Sequence, residues 1–170
     1  MASFDTAFNW MMVNEDGPAP YRYKVVADVG GNAISGVNSK SFPRDYLFIS
    51  SLPQEQRGPA VEAFYRQQFW VKWLDQLNSD AVAKRVFDAA VNMGPKTAVR
   101  LLQQAVSECG HVVSVDGGWG PNTLAAANAC DEACLTAAFR AERVQHYQDI
   151  ADNDPEKAVY LKGWLTRAEK

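Results

Sequence analysis

Glu15 is the residue of this chain whose type and position best suit acid catalysis. Phe4, Phe8, Met11 and Glu15 stand at i, i+4, i+7 and i+11, one row along a helix. A carboxyl at the end of an apolar row loses solvation, which favours its neutral form. The partial negative charge of a helix C-terminus pushes the same way. A glutamic acid that keeps its proton near neutral pH can protonate a leaving oxygen, as glycoside cleavage requires. The same position also suits a solvated glutamate at a frayed helix end, and the spacing alone leaves both readings open.

Other chemistries find little support. The two histidines, His111 and His146, lack the H-x3-H or H-E-x-x-H spacing of a zinc site. No glycine-rich phosphate loop occurs, so neither a metal nor another cofactor is expected. Net charge is −3 and no run of Lys or Arg exceeds two residues, which argues against nucleic acid as partner. No apolar stretch reaches the roughly 18 residues of a membrane span. The first ten residues contain Asp5 and no basic residue, so no signal peptide is expected. Hydrophobic residues at 47% and charged residues at 22% are ordinary for a globular chain, whereas five Trp residues leave an aromatic surplus to be explained. The three cysteines are Cys109, Cys130 and Cys134. They fit buried thiols in a cytoplasmic protein, or a bridge from Cys109 to Cys130 or Cys134 formed after export.

The elements that would position Glu15 follow from caps and periodicity. Ser3 caps a first helix that Gly17 and Pro18 end. From Asp16 to Leu52 breakers abound and no helical period shows, so short strands are expected at Tyr21–Val26 and Ala33–Val37. Ser51-Leu52-Pro53-Gln54 resembles a helix start. Val61, Tyr65, Phe69, Trp73 and Leu77 then recur every four residues, predicting one long helix. Asp80 is placed to cap the next helix, and Met93-Gly94-Pro95 to close it and open another. Asp116 to Pro121 reads as a tight glycine loop. Helices are expected near 122–128 and 131–152, and a last one from Asp154-Pro155 to Ala168. The expected fold class is mainly α, with a small irregular or β lobe near the N-terminus.

Several of these segments resemble glycoside hydrolase family 108, which comprises N-acetylmuramidases of phages and bacteria. The matching residues are Asn14-Glu15-Asp16-Gly17, Asp28-Val29-Gly30-Gly31, Gly36-Val37, Tyr65 to Trp73, and Phe87-Asp88-Ala89-Ala90-Val91-Asn92-Met93-Gly94-Pro95. Val115 to Leu124 resembles the D-G-x-x-G-P-x-T-L of that family's predicted peptidoglycan-binding region. Arg140 to Tyr147 and Gly163-Trp164-Leu165-x-Arg167 are similar to its closing helices. The chain departs from the family at Asn14 and Asp16, where His-Glu-Gly-Gly is common, and at Ala33, where a threonine is common.

The resemblance implies a lysozyme-like helical fold, with a catalytic region over 1–92 and a peptidoglycan-binding-like region over 93–170 in one compact domain. It implies a muramidase cutting the β-1,4 bond between N-acetylmuramic acid and N-acetylglucosamine, with Glu15 as general acid. Asp28 with Ser35 would hold the attacking water, although Asp28 is equally suited to capping the Gly30-Gly31 turn. Tyr21, Tyr65, Trp70 and Trp119 are candidate stacking platforms for sugar rings. Phe69 and Trp73 suit core packing. Asp88 and Asn92, one turn apart on a helix, would hydrogen-bond sugar hydroxyls or N-acetyl groups, or Asn92 would simply help end its helix. The expected partner is the peptidoglycan glycan strand, met by a monomer without membrane insertion. Without a signal peptide, the protein would be a phage-type endolysin made in the host cytoplasm and acting at the cell wall. Two other outcomes stand beside this one: a lytic transglycosylase that uses Glu15 alone, and a non-catalytic wall-binding module.

Overall fold

The computed structural model describes residues 1–15, 23–28, 31–70 and 73–170, without the side chains of Asn14, Glu15 and Asp28. The described chain is mainly α with one small antiparallel sheet near its start, as the sequence predicts. It forms two compact units, Ser3–Val71 and Lys72–Lys170 with Met1–Ala2.

In the first unit, α1 spans Phe4–Glu15. The Ser3 hydroxyl accepts the Thr6 N–H at 3.3 Å, satisfying one of the free donors of the first turn. Phe4, Phe8, Met11 and Met12 are all buried. Phe4 stacks on Phe8 at 5.5 Å between ring centroids and meets Trp70 edge-on at 5.3 Å. Such pairs stabilise beyond the area they bury, because the ring edge is positive and the face negative.

Three strands follow: β1 (Val25–Asp28), β2 (Gly31–Ile34) and β3 (Val37–Asn38), in the order β1-β2-β3. The strand expected over Ala33–Val37 is therefore a hairpin. Ile34 pairs with Val37 across a two-residue turn in which Ser35 and Gly36 both have positive φ, 47° and 81°. That turn twists in the sense the strands do.

A helix, α2, spans Pro43–Ser51 where the sequence reading expects none. Pro43 supplies a preset φ at its start and Asp45 suits the positive end of its dipole. Its apolar period is weak because Leu47 and Phe48 are exposed and only Ile49 is buried. The helix start expected at Ser51 is a 3-10 turn over Gln54–Gln56, and α3 runs from Arg57 to Phe69. The four-residue repeat to Leu77 does not continue as helix; a 3-10 turn at Leu74–Gln76 carries its last part.

Among its described residues the regular elements of the second unit are helices: α4 (Asp80–Met93), α5 (Pro95–Glu108), α6 (Pro121–Ala129), α7 (Glu132–Asn153) and α8 (Leu161–Ala168). Ser79, not Asp80, caps α4, its hydroxyl accepting the Val82 N–H at 3.1 Å. Asp80 falls in the first turn, where its charge still suits the dipole. Gly94 ends α4 at φ 86° and Pro95 opens α5, as the sequence predicts. Asp131 caps α7 through the Cys134 N–H at 2.9 Å. Cys109, after the end of α5, is disulfide-bonded to Cys134 in the first turn of α7, and Cys130 is a free thiol.

Candidate functional site

Glu15 is the last residue of α1, one turn beyond the buried Met11. Asp28 ends β1, opposite Gly31 in the ladder. Ser35 follows Ile34, which pairs with Val25 at the other end of that ladder. Four residues separate Gly31 from Ser35, so roughly 13 Å of strand lies between the two ends. The register therefore does not bring Asp28 and Ser35 together as a water-holding pair.

Ser35 has another task. It is buried, and its Oγ accepts the Tyr23 N–H at 3.1 Å. Its carbonyl accepts the Tyr65 hydroxyl at 2.8 Å. Tyr65 reaches this carbonyl from α3, with its ring among Phe8, Phe64 and Phe69. It is only 2% exposed, so its ring is not an open platform for a sugar. A side chain at Gly36 would place Cβ 2.4 Å from the Tyr65 hydroxyl, which explains why glycine stands there. Arg57, which the sequence reading passes over, completes the anchorage. Its guanidinium donates to the carbonyls of Leu52, Tyr23 and Ser50 at 3.0, 2.8 and 3.3 Å. No motif or spacing singles it out, because all three acceptors are backbone. Trp70, another candidate platform, is buried against Phe4. Tyr21 lies outside the described residues.

Asp88 and Asn92 lie in the second unit. The expectation that Asp88 binds a sugar is corrected by its surroundings: it is wholly buried between two arginines. Arg143 of α7 donates to its Oδ2 at 2.8 Å. Arg167 of α8 donates to Oδ1 at 2.7 Å through Nη2, and to both oxygens through Nε at 3.1 and 3.2 Å. A buried carboxylate is tolerated when it is paired and hydrogen-bonded in this way, and both oxygens are already occupied. The F-D-x-A-V-N-x-G-P segment and the closing Arg167 thus meet as an ion cluster joining α4, α7 and α8. Asn92 is exposed and its Nδ2 donates to the Asp88 carbonyl at 2.6 Å, within its own helix.

The glycine loop around Trp119 is organised by Gln103, a residue of α5 that is 1% exposed. Its Nε2 donates to Asp116 Oδ1, the Gly118 carbonyl and Thr123 Oγ1 at 2.9, 3.0 and 3.1 Å. Its Oε1 accepts the Gly117 N–H at 2.8 Å. Gly117 has φ 74°, and a Cβ there would come within 2.9 Å of the Lys96 carbonyl, so glycine is required. The Gln103 amide, then the Gly118 N–H, hold the Asp116 carboxyl below its ordinary pKa. The sequence did carry a signal for Gln103, a polar residue beside Leu101, Leu102, Ala105 and Val106 of the core stripe.

On α7, burial and then a hydrogen bond with Glu108 push the Glu142 carboxyl up to about 7. Burial lowers the neighbouring His146. Among the described residues no three His, Cys, Asp or Glu side chains gather as a metal-holding group. No described helix is long and apolar enough to cross a membrane.

Among the described residues, helices with a three-stranded antiparallel sheet following the first helix in sequence define a class that known proteins share. The chain is similar to the solved structure of SagA from Brucella abortus, with 20% identity and a TM-score of 0.62. The match covers 97% of this chain and 92% of that one, and the shared fold is the lysozyme-like one. Two family models match in sequence: Glycosyl hydrolase 108 over residues 21–94 and Predicted Peptidoglycan domain over 97–169. The two matches together span residues 21–169, a glycosyl hydrolase 108 region followed by a peptidoglycan domain, and this pairing supports a peptidoglycan hydrolase. A search of curated proteins found no match. The family regions meet near residue 95, inside the second compact unit, where the Asp88 ion cluster spans both.

Proposed function

We propose that the protein is an N-acetylmuramidase that cleaves the β-1,4 bond between N-acetylmuramic acid and N-acetylglucosamine, with Glu15 as general acid. The observation that carries this reading is the position of Glu15. It closes a helix whose preceding row, Phe4, Phe8 and Met11, is buried, and no basic residue occupies that helix's last turn. The helix C-terminus then disfavours the carboxylate and helps retain the proton.

In the reaction, Glu15 protonates the glycosidic oxygen as its bond to the anomeric carbon breaks. Asp28 accepts a proton from water as that water's oxygen bonds to the anomeric carbon. Ser35 acts in this reading as the anchor of the hairpin that carries Asp28. Trp119 contributes a stacking face for glycan in the second unit. The protein works as a monomer at the bacterial wall, as a phage-type endolysin that crosses the membrane through a lesion made by another protein. The disulfide between Cys109 and Cys134 supports work outside a reducing cytoplasm.

The separation of Asp28 from Ser35 favours a second reading, a lytic transglycosylase. There Glu15 serves as acid and then base while the substrate's own 6-hydroxyl attacks, so no water need be held. Glu15→Gln removes the proton donor at nearly constant shape. It is expected to slow the clearing of purified sacculi at least ~100-fold. Equal clearing by both forms would defeat the role of Glu15. Product mass then decides the outcome, since hydrolysis leaves a reducing end and transglycosylation an anhydro sugar. Binding to sacculi with no clearing by either form would leave a wall-binding module.

A further inference from the structure

The strand that carries Asp28 has little of its own to fix where it lies. β1 is an outer strand of the described sheet, paired with β2. Lys24, Val25, Val26 and Ala27 are all exposed, so neither face of its described part is buried. Register is strongly specified where one face of a strand is buried, and weakly where none is. A slip of one residue would exchange the two faces of β1, with Asp28 at its end. β2, by contrast, is tied at both ends. Tyr65 donates to the carbonyl of Ser35, just after the strand. At its start, Ser39 accepts the Asn32 N–H on its hydroxyl at 3.0 Å and donates its own N–H to the Asn32 carbonyl at 2.8 Å.

Tyr23, two residues before β1, has the contacts that the strand lacks. Among the described non-glycine residues only Tyr23 and Ser35 have positive φ, 66° and 47°. In that region Cβ crowds the following carbonyl, so a tyrosine stays there only when its surroundings hold it. Three contacts do so. Its N–H donates to the Ser35 hydroxyl at 3.1 Å, which joins the two strained residues. Its carbonyl accepts from Arg57 Nη1 at 2.8 Å. Its ring lies over Gly58, where a Cβ would come within 3.3 Å of Cε2. Arg57 and Gly58 open α3, and Tyr65 of the same helix holds Ser35. One helix therefore grips both the entry to β1 and the exit of β2.

We propose that Tyr23 is a positioning residue: its left-handed conformation locks the register of β1 and so fixes the place of Asp28. The proposal rests on the reading of Asp28 as the group that takes a proton from the attacking water. Tyr23 acts in it through the strand, not on the substrate.

The test compares two variants of the full chain, Tyr23→Asn and Tyr23→Val, each checked for native circular dichroism. Both remove the ring, but asparagine tolerates the left-handed region and valine does not. The amides of Val25–Asp28 are expected to exchange with deuterium about tenfold faster in Tyr23→Val than in Tyr23→Asn, with the second unit unchanged. On soluble peptidoglycan strands kcat should differ between them by about the same factor, while KM stays level. Ser35→Gly keeps a residue fit for the turn but removes the acceptor of the Tyr23 N–H. It should speed β1 exchange about three- to tenfold, and it gives that readout even if Tyr23→Val fails to fold. Added to Asp28→Asn, Tyr23→Val should cause no further loss of kcat, because the group it positions is already gone. Equal exchange in the two Tyr23 variants, or unchanged exchange in Ser35→Gly, overturns the lock. A further loss of about tenfold on Asp28→Asn shows Tyr23 acting elsewhere and overturns the positioning role. If Asp28→Asn works at the wild-type rate, the reading of Asp28 fails and the positioning role falls with it. The exchange difference would then stand as a register lock alone.

Discussion

The unit over Ser3–Val71 and the unit over Lys72–Lys170 keep their shapes by different means. The first packs rings: Phe4, Phe8, Phe42, Phe64, Tyr65, Phe69 and Trp70 form an almost continuous set of edge and face contacts. Its strands are only two to four residues long, too short to be stable alone, so side chains of α3 and Arg57 fasten the turns. The second unit has long helices with clean apolar rows and fastens them at points. These are the Asp88 ion cluster, the disulfide and the Gln103 amide. Diffuse packing tolerates single changes better than point fastening does, and that contrast can be tested.

The largest effect is expected from Asp88→Ala, which leaves Arg143 buried with no carboxylate. Stability should fall by about 3–5 kcal/mol, the usual cost of stranding a buried charge. A thermal melt should show a midpoint lower by roughly 10 °C. A drop under 1 kcal/mol would mean that α8 docks without the ion cluster. Next is Cys109→Ser with Cys134→Ser. The bridge spans 25 residues, and releasing it should cost about 3–4 kcal/mol by loop entropy. Urea unfolding with and without reductant measures this, and reductant should leave the double variant unchanged.

Tyr65→Phe should cost about 1–2 kcal/mol, because the buried Ser35 carbonyl loses its donor while the ring contacts remain. Faster hydrogen exchange confined to the hairpin amides would sharpen the contrast, whereas a global loss of several kcal/mol would break it. The smallest effect concerns Glu142, whose pKa near 7 lies above its ordinary value. A raised carboxyl pKa stabilises the fold while the group is protonated. The contribution is complete below the unfolded value near 4.5 and is lost as pH rises through 7. Glu142→Gln should therefore melt higher than wild type at pH 8, with a gap that closes towards pH 4.5. A gap independent of pH would assign the effect to packing instead.

These contrasts also explain what was legible beforehand. The helices of the second unit could be read because caps and apolar periods are local: Gly94-Pro95 and Asp131 act within a few residues of themselves. In the first unit, α2 hides because Leu47 and Phe48 face solvent and only Ile49 is buried, and the hairpin hides because a four-residue strand leaves almost no period. The candidate site divides likewise. The place of Glu15 at the end of the buried row of α1 could be read from spacing. The separation of Asp28 from Ser35 required the strand register, and the occupation of Asp88 required two arginines 55 and 79 residues away.

The sequence by itself determined the helical class, most helix ends of the second unit, the family pairing and the position of Glu15 at the end of an apolar row. Each depends on residues close in the chain or on a motif of fixed spacing. Only the tertiary structure decided that Cys109 pairs with Cys134 and not Cys130, that Tyr65 serves Ser35, that Asp88 serves two arginines, and that Gln103 holds the glycine loop. The physical reason is common to all four. A polar group's partner is chosen by burial and distance between segments far apart in sequence, and no local pattern encodes that choice.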